Sequence, residues 1–566
     1  MTRLDPVAVE VIGNRLLSVV DEQQAALVRT AFSTIVRESE DLACGVFDAR
    51  GFMVAQSLTG TPGHINAMAT GMRHIVAAAE DAAPGDVFVT NDPWLTSGQV
   101  NDFTVATPVF HRDRLAGWFA NCCHSPDVGG RVLSGDAAEV FEEGLRVPIM
   151  RLFRAGEPNE ELLGIVRANV RTPDETVGDL YAQTACNDVG ARSLRALLDE
   201  FELPTLAPVA DEIVGRSEQA MRAAIRELRD GVYEGETTSD GVDGEAVRLH
   251  ATVTVDGDEI AIDFAGSSPQ SRRGINVVLN YTHAYASFAI KAALAPEVPH
   301  NEGSFRPVHV TAPPGSILNA LPPAAVGSRH VIGHFIPGVI FLALAEALPG
   351  KLLAGGADSV WLNVIRGRLS ESDWFSLSIF QAGGTGARAT KDGLSATGFP
   401  TGVAGVPVEV IETLSPLVQH RRELRRDSGG PGRRRGGLGQ LTELSCRSGD
   451  EWQISAMVDR TRFPGPPLEG GRAGALGEFA RDGEHLPPKR LVRLAPGDRL
   501  TLNPPGGAGY GDPREREPEL VLRDVIDGYV SLAAAERDYG VRIVYTGPPD
   551  ALVRTPDMYR LEGRRK

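Results

Sequence analysis

Apolar and polar residues alternate along the chain with two periods, and each period marks a kind of element. Val11, Leu16, Val20, Ala26 and Leu27 recur at helical spacing and predict an amphipathic helix over 8–32. Short strand-like runs follow at 43–48, 51–55, 86–90 and 103–110, with Asp48-Ala49-Arg50-Gly51 as a hairpin signal between the first two. Helical spacing returns over 64–80, and to about residue 200 helix and strand are expected to alternate irregularly. A long charged helix is predicted over 205–232, then strands at 247–255, 259–264 and 309–311, the first two joined by an Asp-Gly-Asp turn. Residues 313–325 are rich in proline and small residues and read as a junction. Residues 331–348 read as a buried helix, 375–445 as Gly-rich, and 515–527 and 530–538 as two further helices. The expected class is α+β and multi-lobed, with a β-rich, Gly-rich second half. The expected regions are 1–204, 205–325 and 326–566.

Composition narrows the picture. The 566 residues carry 74 acidic against 57 basic side chains, a net charge of −17, which argues against nonspecific nucleic-acid or anionic-membrane binding. Glycine numbers 63, an excess that points to tight turns and close backbone approaches. The five cysteines, Cys44, Cys122, Cys123, Cys186 and Cys446, are odd in number and lack C-x-x-C spacing, so buried thiols are expected rather than a disulfide framework. The first eleven residues lack an apolar signal core, and the most apolar run, 335–348, is broken by Pro337 and Glu346 and too short to span a bilayer. A cytoplasmic, soluble protein is expected.

Candidate chemistry concentrates in the first third, where Glu38-Ser39-Glu40-Asp41 precedes one strand and Asn91-Asp92-Pro93 ends another. Asn101-Asp102 and Asn121-Cys122-Cys123-His124-Ser125-Pro126-Asp127 follow. Carboxylates and a histidine at the ends of several strands suit a divalent ion, and oxygen and nitrogen donors without thiolate favour Mn, Mg, Fe or Zn. The plainer alternative is that Asp-Pro after a strand is a turn or helix cap and the histidine a hydrogen-bonded core residue. No Gly-rich segment fits a P-loop, and Gly327-Ser328-Arg329-His330 lacks the frame of a nucleophile elbow. The basic run 421–435, with seven arginines and two acidic residues, reads as a structural or interface element ahead of a phosphate site.

Taken together and in order, several segments resemble the hydantoinase B family. They are Glu38–Cys44, Asn91–Trp94 with Asp102, His124 with Asp127–Gly130, Glu143–Pro148 and Asn169–Glu175, and downstream Pro407–Glu409, Asp427–Gly432 with Arg435–Gly437, and Gly506–Pro513. The resemblance implies the B-type subunit of an ATP-dependent, two-component cyclic-amide hydrolase of the hydantoinase/5-oxoprolinase type. A hydantoinase A-type partner would carry ATP and phosphorylate the substrate, in a hetero-oligomer. Acetone- and acetophenone-type carboxylases belong to the same group and give the alternative reading. A non-catalytic structural subunit is a third. The resemblance also implies a divalent ion (Zn, Mn or Fe) held at Asp41, Gln99, Asp102 and His124, with Asp127 and His124 in ligand orientation or proton transfer. The sequence departs from the family at Gln99, where a histidine is usual, and at Ser125, where the family has a second histidine; an amide oxygen is a weaker ligand than imidazole. His64, Arg146, Asn169, Arg171 and Arg329 are further candidate pocket residues.

Overall fold

The structure is a computed structural model that describes residues 5–369, 374–548, 551 and 553–564. It is a mixed α+β fold with several sheets. The first helix runs Pro6–Thr30, capped by the Asp5 carboxylate. Its inner face is Val9, Ile12, Leu16, Val20 and Leu27, whereas Val11 faces outward.

The first sheet is antiparallel throughout. It comprises β1 (Leu42–Phe47), β2 (Met53–Gln56), β3 (Val87–Thr90), β4 (Asp102–His111), β5 (Arg114–His124), β6 (Met150–Arg154) and β7 (Glu157–Pro158). Their spatial order is β2-β1-β5-β4-β3-β6-β7, so β5 lies between β1 and β4. Each neighbour register matters for the site. β4 pairs with β5 so that Asp102 lies opposite His124, and β1 pairs with β5 from Leu42 opposite Cys123. The chain just before β1, the start of β4 and the end of β5 therefore share one edge.

Helices cover both faces of this sheet. Pro62–Ala78 packs its buried side (Ile65, Met68, Met72, Ile75) with Ala43, Trp118 and Cys122 on one face. Cys123, the next residue, faces the opposite cluster with Leu16, Val20 and Leu27, as the two-residue strand period requires. A single uninterrupted helix, Pro173–Glu200, replaces the irregular alternation expected there. Its inner face carries polar residues, which conceal the helical period. Gln183 donates to the Phe103 carbonyl at 2.8 Å, and Asn187 to the Val105 carbonyl at 3.1 Å. The helix is thus bonded to β4 through amide side chains as well as packed on it.

The second sheet has β8 (Gly231–Val242), β9 (Glu245–Asp256), β10 (Glu259–Asp263) and β11 (Val308–Thr311) in the order β11-β10-β9-β8, with β10 and β11 parallel. Beside it, the helix expected over 331–348 is broken into His330–Gly333 and Phe335–Leu344. Pro337 has no N–H to give Gly333, which explains the break. Two further sheets, built on Trp361–Arg368 and on Gln440–Cys446, organise the second half.

The Gly-rich segments stack backbone on backbone. Gly437 donates to the Thr385 carbonyl and Gly507 to that of Gly437, both at 2.9 Å. A Cβ on Gly507 would lie 1.9 Å from the Thr385 oxygen, so the layer admits no side chain there. The arginines of 421–435 are taken up within the chain. Arg422 donates to Val406 O, Arg425 to Leu476 O and Arg426 to Gly528 O, while Arg435 lies 3.4 Å from Asp524.

A buried ion pair ties the second sheet to the later part of the chain. Lys489 is wholly enclosed, with Nζ 2.7 Å from both Asp459 Oδ2 and the Gly241 carbonyl. Asp459 also accepts from Ser239 Oγ at 2.6 Å and the Asp240 amide at 3.1 Å. Removing one partner strands the other charge, at about 3–5 kcal/mol. Asp459→Ala is therefore expected to lower the first urea-unfolding midpoint, and Asp459→Leu with Lys489→Met to recover much of it. An unchanged midpoint in the single variant contradicts this account.

Candidate functional site

The edge shared by β1, β4 and β5 gathers polar groups into the protein interior. Asp102 opens β4, His124 closes β5, and Asp41 directly precedes β1, its carbonyl accepting the His124 amide at 3.1 Å. Gln99 stands in the turn three residues before Asp102. All four are buried.

Three atoms form a tight triangle. Gln99 Nε2 lies 2.6 Å from Asp102 Oδ1 and 2.9 Å from His124 Nδ1, and these last two are 3.0 Å apart. Ligand atoms about 2.1 Å from a six-coordinate ion sit about 3.0 Å from their neighbours, so the spacing is that of three metal donors. In the present orientation Gln99 Nε2 donates to Asp102 Oδ1 and lies against His124 Nδ1, and its Oε1 is buried without a partner. A half-turn of the amide plane would bring that oxygen to the same corner. Donor set, spacing and orphaned oxygen therefore fit a divalent ion at Gln99, Asp102 and His124.

The other oxygen of Asp102 is committed to fixed cations. Arg329 Nη2 donates to Oδ2 at 2.5 Å, and His64 Nε2 lies 3.0 Å from it. Burial acts to raise the Asp102 carboxyl, but His64 and Arg329 outweigh it and hold it well below the usual carboxylate range. His64 stands between two carboxylates, its Nδ1 being 3.6 Å from Asp41 Oδ1, which also accepts from Thr61 Oγ1 at 3.1 Å. Burial lowers the His64 imidazole, yet Asp102 and Asp41 together bring it above its ordinary value.

Arg329 comes from 227 residues farther along the chain, at the start of the short helix His330–Gly333, and is held on both sides. Its guanidinium lies over the Tyr281 ring at 4.1 Å, and its Nε donates to the Ser97 carbonyl. The turn beneath requires glycine. Gly98 has φ +87°, and a Cβ there would meet Arg329 Cδ at 2.8 Å. The segment leading to Arg329 is anchored by Glu143, whose Oε1 accepts the Gly327 amide at 2.6 Å.

The remaining candidates lie elsewhere. Asp127 accepts from Arg171 Nη1 at 2.6 Å and from the Gly129 amide at 3.2 Å, and among the described residues it makes no hydrogen bond to His124. Asn169 caps its own helix through the Ile165 carbonyl, and Arg146 lies 3.8 Å from Asp92. The sequence reading missed Cys122 at this site. His64, Asp102 and Cys122 can offer ligand atoms that all lie within 4.8 Å of one another, a second donor set sharing Asp102. Cys122 stands two residues before His124 on the same strand, which puts both on one face and was legible as spacing. Burial, then Asp102, pushes its thiol far up, and Sγ lies 3.4 Å from Ser97 Oγ, so it is a protonated neighbour. All five cysteines are free and buried.

The chain matches the hydantoinase B/oxoprolinase family over residues 5–513. It belongs to that family. The B-type component of a candidate D-/L-hydantoinase from Pseudomonas sp. (strain NS671) is 32% identical, with 96% of each chain covered. The beta chain of caprolactamase from Pseudomonas jessenii is 30% identical over 97% of this chain and 98% of its own. The crystal structure of ATP-dependent caprolactamase from that organism superposes with a TM-score of 0.89 at 28% identity, covering 97% of this chain and 98% of the other. Nucleotide-free acetone carboxylase superposes with a TM-score of 0.86 over 99% of this chain and 81% of its own; at 20% identity that likeness is one of fold. Among the described residues no helix is long and apolar enough to cross a membrane.

Glu143 gives this site a pH signature in stability. Burial pushes its carboxyl from 4.5 to about 7, against the hydrogen bond from Gly327. The folded state thus binds the proton more tightly than the unfolded one. Its stabilising contribution is full below pH 4.5 and is lost as pH rises through about 7. The shift corresponds to roughly 3 kcal/mol. Glu143→Gln keeps an acceptor for Gly327 and should flatten the stability–pH curve between these values. A wild-type curve that rises across that window, or one unaltered in the variant, rules this out.

Proposed function

We propose that this chain is the B-type subunit of an ATP-dependent cyclic-amide hydrolase, acting on a substrate that an A-type partner has phosphorylated. What supports the reading is family membership across nearly the whole chain, together with relatives named as the B-type component of a hydantoinase and the beta chain of a caprolactamase. The observation that carries it is the donor triangle at Gln99, Asp102 and His124.

On this reading Gln99, Asp102 and His124 would hold a divalent ion of the Zn, Mn or Fe class, with Asp41 as the fourth expected ligand beside His64. Such an ion supplies Lewis acidity toward a carbonyl and lowers the pKa of water. The chain's own residues do the rest. Asp102 keeps its charge because Arg329 and His64 hold its outer oxygen, leaving Oδ1 for the triangle. His64, between Asp41 and Asp102, holds a proton at Nε2 or Nδ1 within reach of either carboxylate. Arg329, sandwiched between Tyr281 and Ser97, fixes the site's orientation. Gln99 in place of the family's usual histidine offers a neutral oxygen and weakens retention of the ion. Asp127 acts through Arg171, shaping the adjoining wall.

Two measurements test the reading. Bound metal is expected in the purified protein, at less than stoichiometry because of Gln99, and at least tenfold lower in Asp102→Ala; equal, near-zero metal in both would sink the metal assignment. Co-expressed with an A-type partner, the protein should consume hydantoins, 5-oxoproline or lactams only with ATP. The fold shared with acetone carboxylase makes labelled bicarbonate fixation onto ketones the parallel assay. Fixation without amide turnover would reverse the assignment in favour of a carboxylase, and a stable but inactive complex would favour a structural subunit.

A further inference from the structure

Beside the triangle lies a cavity of about 700 Å³ whose chemistry the triangle does not use. Asn101, next to Asp102, and Pro126, two residues after His124, form part of its wall. Among the described residues three guanidinium groups line it, Arg131, Arg171 and Arg366, against the single carboxylate of Asp127. Two of these arginines are already occupied. Arg171 is held by Asp127 at 2.6 Å and by the Gly130 carbonyl, and Arg131 pairs with Glu142 at 2.7 Å.

Arg366 differs. Its Nε donates to the neutral Gln453 Oε1 at 3.1 Å, and among the described residues no carboxylate pairs with it. It projects from the strand Trp361–Arg368 into surroundings that disfavour its charge, first through burial and then through the like charge of Arg171. A partly desolvated guanidinium facing a second one, with one carboxylate between them, is relieved by an incoming anion, and the planar fork suits two oxygens at once. The rest of the lining is mixed, with Asn101, Thr172 and Ser376 beside an apolar side. Val364 and Phe375 are buried, while the large Trp374 ring is left 59% exposed at the cavity. Aromatic platforms of this kind take up the flat or aliphatic body of a small ligand.

We propose that this cavity binds a small organic anion, its carboxylate or phosphoryl oxygens on Arg366 and Arg171 and its apolar body against Trp374 and Phe375. The ligand's fate rests on the hydrolase reading above, for which such an anion is a substrate or product waiting beside Asp102 and His124. The binding itself does not, and is tested without partner, ATP or metal.

The full-length protein is titrated calorimetrically with hexanoate, inorganic phosphate and neutral hexanamide. Saturable binding of hexanoate or phosphate at least tenfold tighter than hexanamide is expected. Hexanoate above phosphate assigns a carboxylate ligand, and phosphate above hexanoate a phosphoryl one. Arg366→Gln should weaken the preferred anion at least tenfold, and Arg366→Lys, which keeps the charge but loses the fork, by less. Arg131→Gln, whose partner is Glu142, should change it about twofold at most. Trp374→Phe should reduce hexanoate affinity more than phosphate affinity. Equal binding of hexanoate, phosphate and hexanamide overturns the proposal, as does anion binding that is indifferent to both Arg366 variants. Amide turnover that survives such a failure leaves the hydrolase reading standing without this site.

Discussion

A carboxylate with no exposure to water is the constraint around which this molecule is arranged. Removing a carboxylate from water costs several kcal/mol unless charge and hydrogen bonds are returned to it. Asp102 receives them from four places in the chain: Gln99 in the preceding turn, His124 on the paired strand, His64 on the covering helix and Arg329 from 227 residues away. Each donor is useful only if its own element is held. The β4–β5 register holds His124, Gly98 makes room for Arg329, and Glu143 anchors the segment that carries it. The N-terminal sheet and the segment that carries Arg329 are therefore joined through the site as well as through packing.

The two oxygens of Asp102 divide the labour. Oδ2 faces permanent or readily protonated cations, which keep the group ionised. Oδ1 faces an amide and an imidazole, two partners that either donate a hydrogen bond or ligate a metal. A site built only from the first kind would be a structural ion pair, and one built only from the second would hold its carboxylate weakly. Having both explains how a buried acid stays charged and yet keeps one oxygen on an amide and an imidazole.

Local elements were legible where one period dominated. The first helix followed from spacing because it buries one regular face, whereas β1, β3 and β4, buried on both faces, were legible as short apolar runs between turn residues. The helix Pro173–Glu200 was hidden because Asp179, Gln183 and Asn187 occupy its inner face, where periodicity looks for apolar residues. The site was half legible. Asp102 and His124 stand at strand ends, and Cys122 follows from the two-residue period. Arg329 and Tyr281 reach the site only through tertiary packing, and His64 is one of several interior positions on its helix. No local pattern distinguishes these three from packing residues. Glycine was legible as close approach, but its partners were not: the Thr385, Gly437 and Gly507 layer joins segments separated by tens of residues.

The same alternation also separates the two chemistries found here. Consecutive residues on an extended chain project to opposite sides. Asp102 turns toward the triangle, while Asn101 before it faces the arginine-lined cavity; Cys122 and His124 share the triangle's face, while Cys123 between them is committed to the apolar layer beneath the first helix. Beyond His124 the chain continues through Pro126 and Asp127 into the cavity wall. The buried acid and the arginine-lined cavity thus have opposite charge preference, and yet Asn101 and Pro126 of the cavity wall stand one and two residues from Asp102 and His124. A pleated pair that ends at one edge can carry both without letting Arg171 or Arg366 neutralise Asp102, because each is held on its own side, Arg171 by Asp127 and Arg366 on a strand of another sheet. Proximity with insulation is what an anionic ligand and a charged acid need if they are to meet only when the ligand itself bridges them.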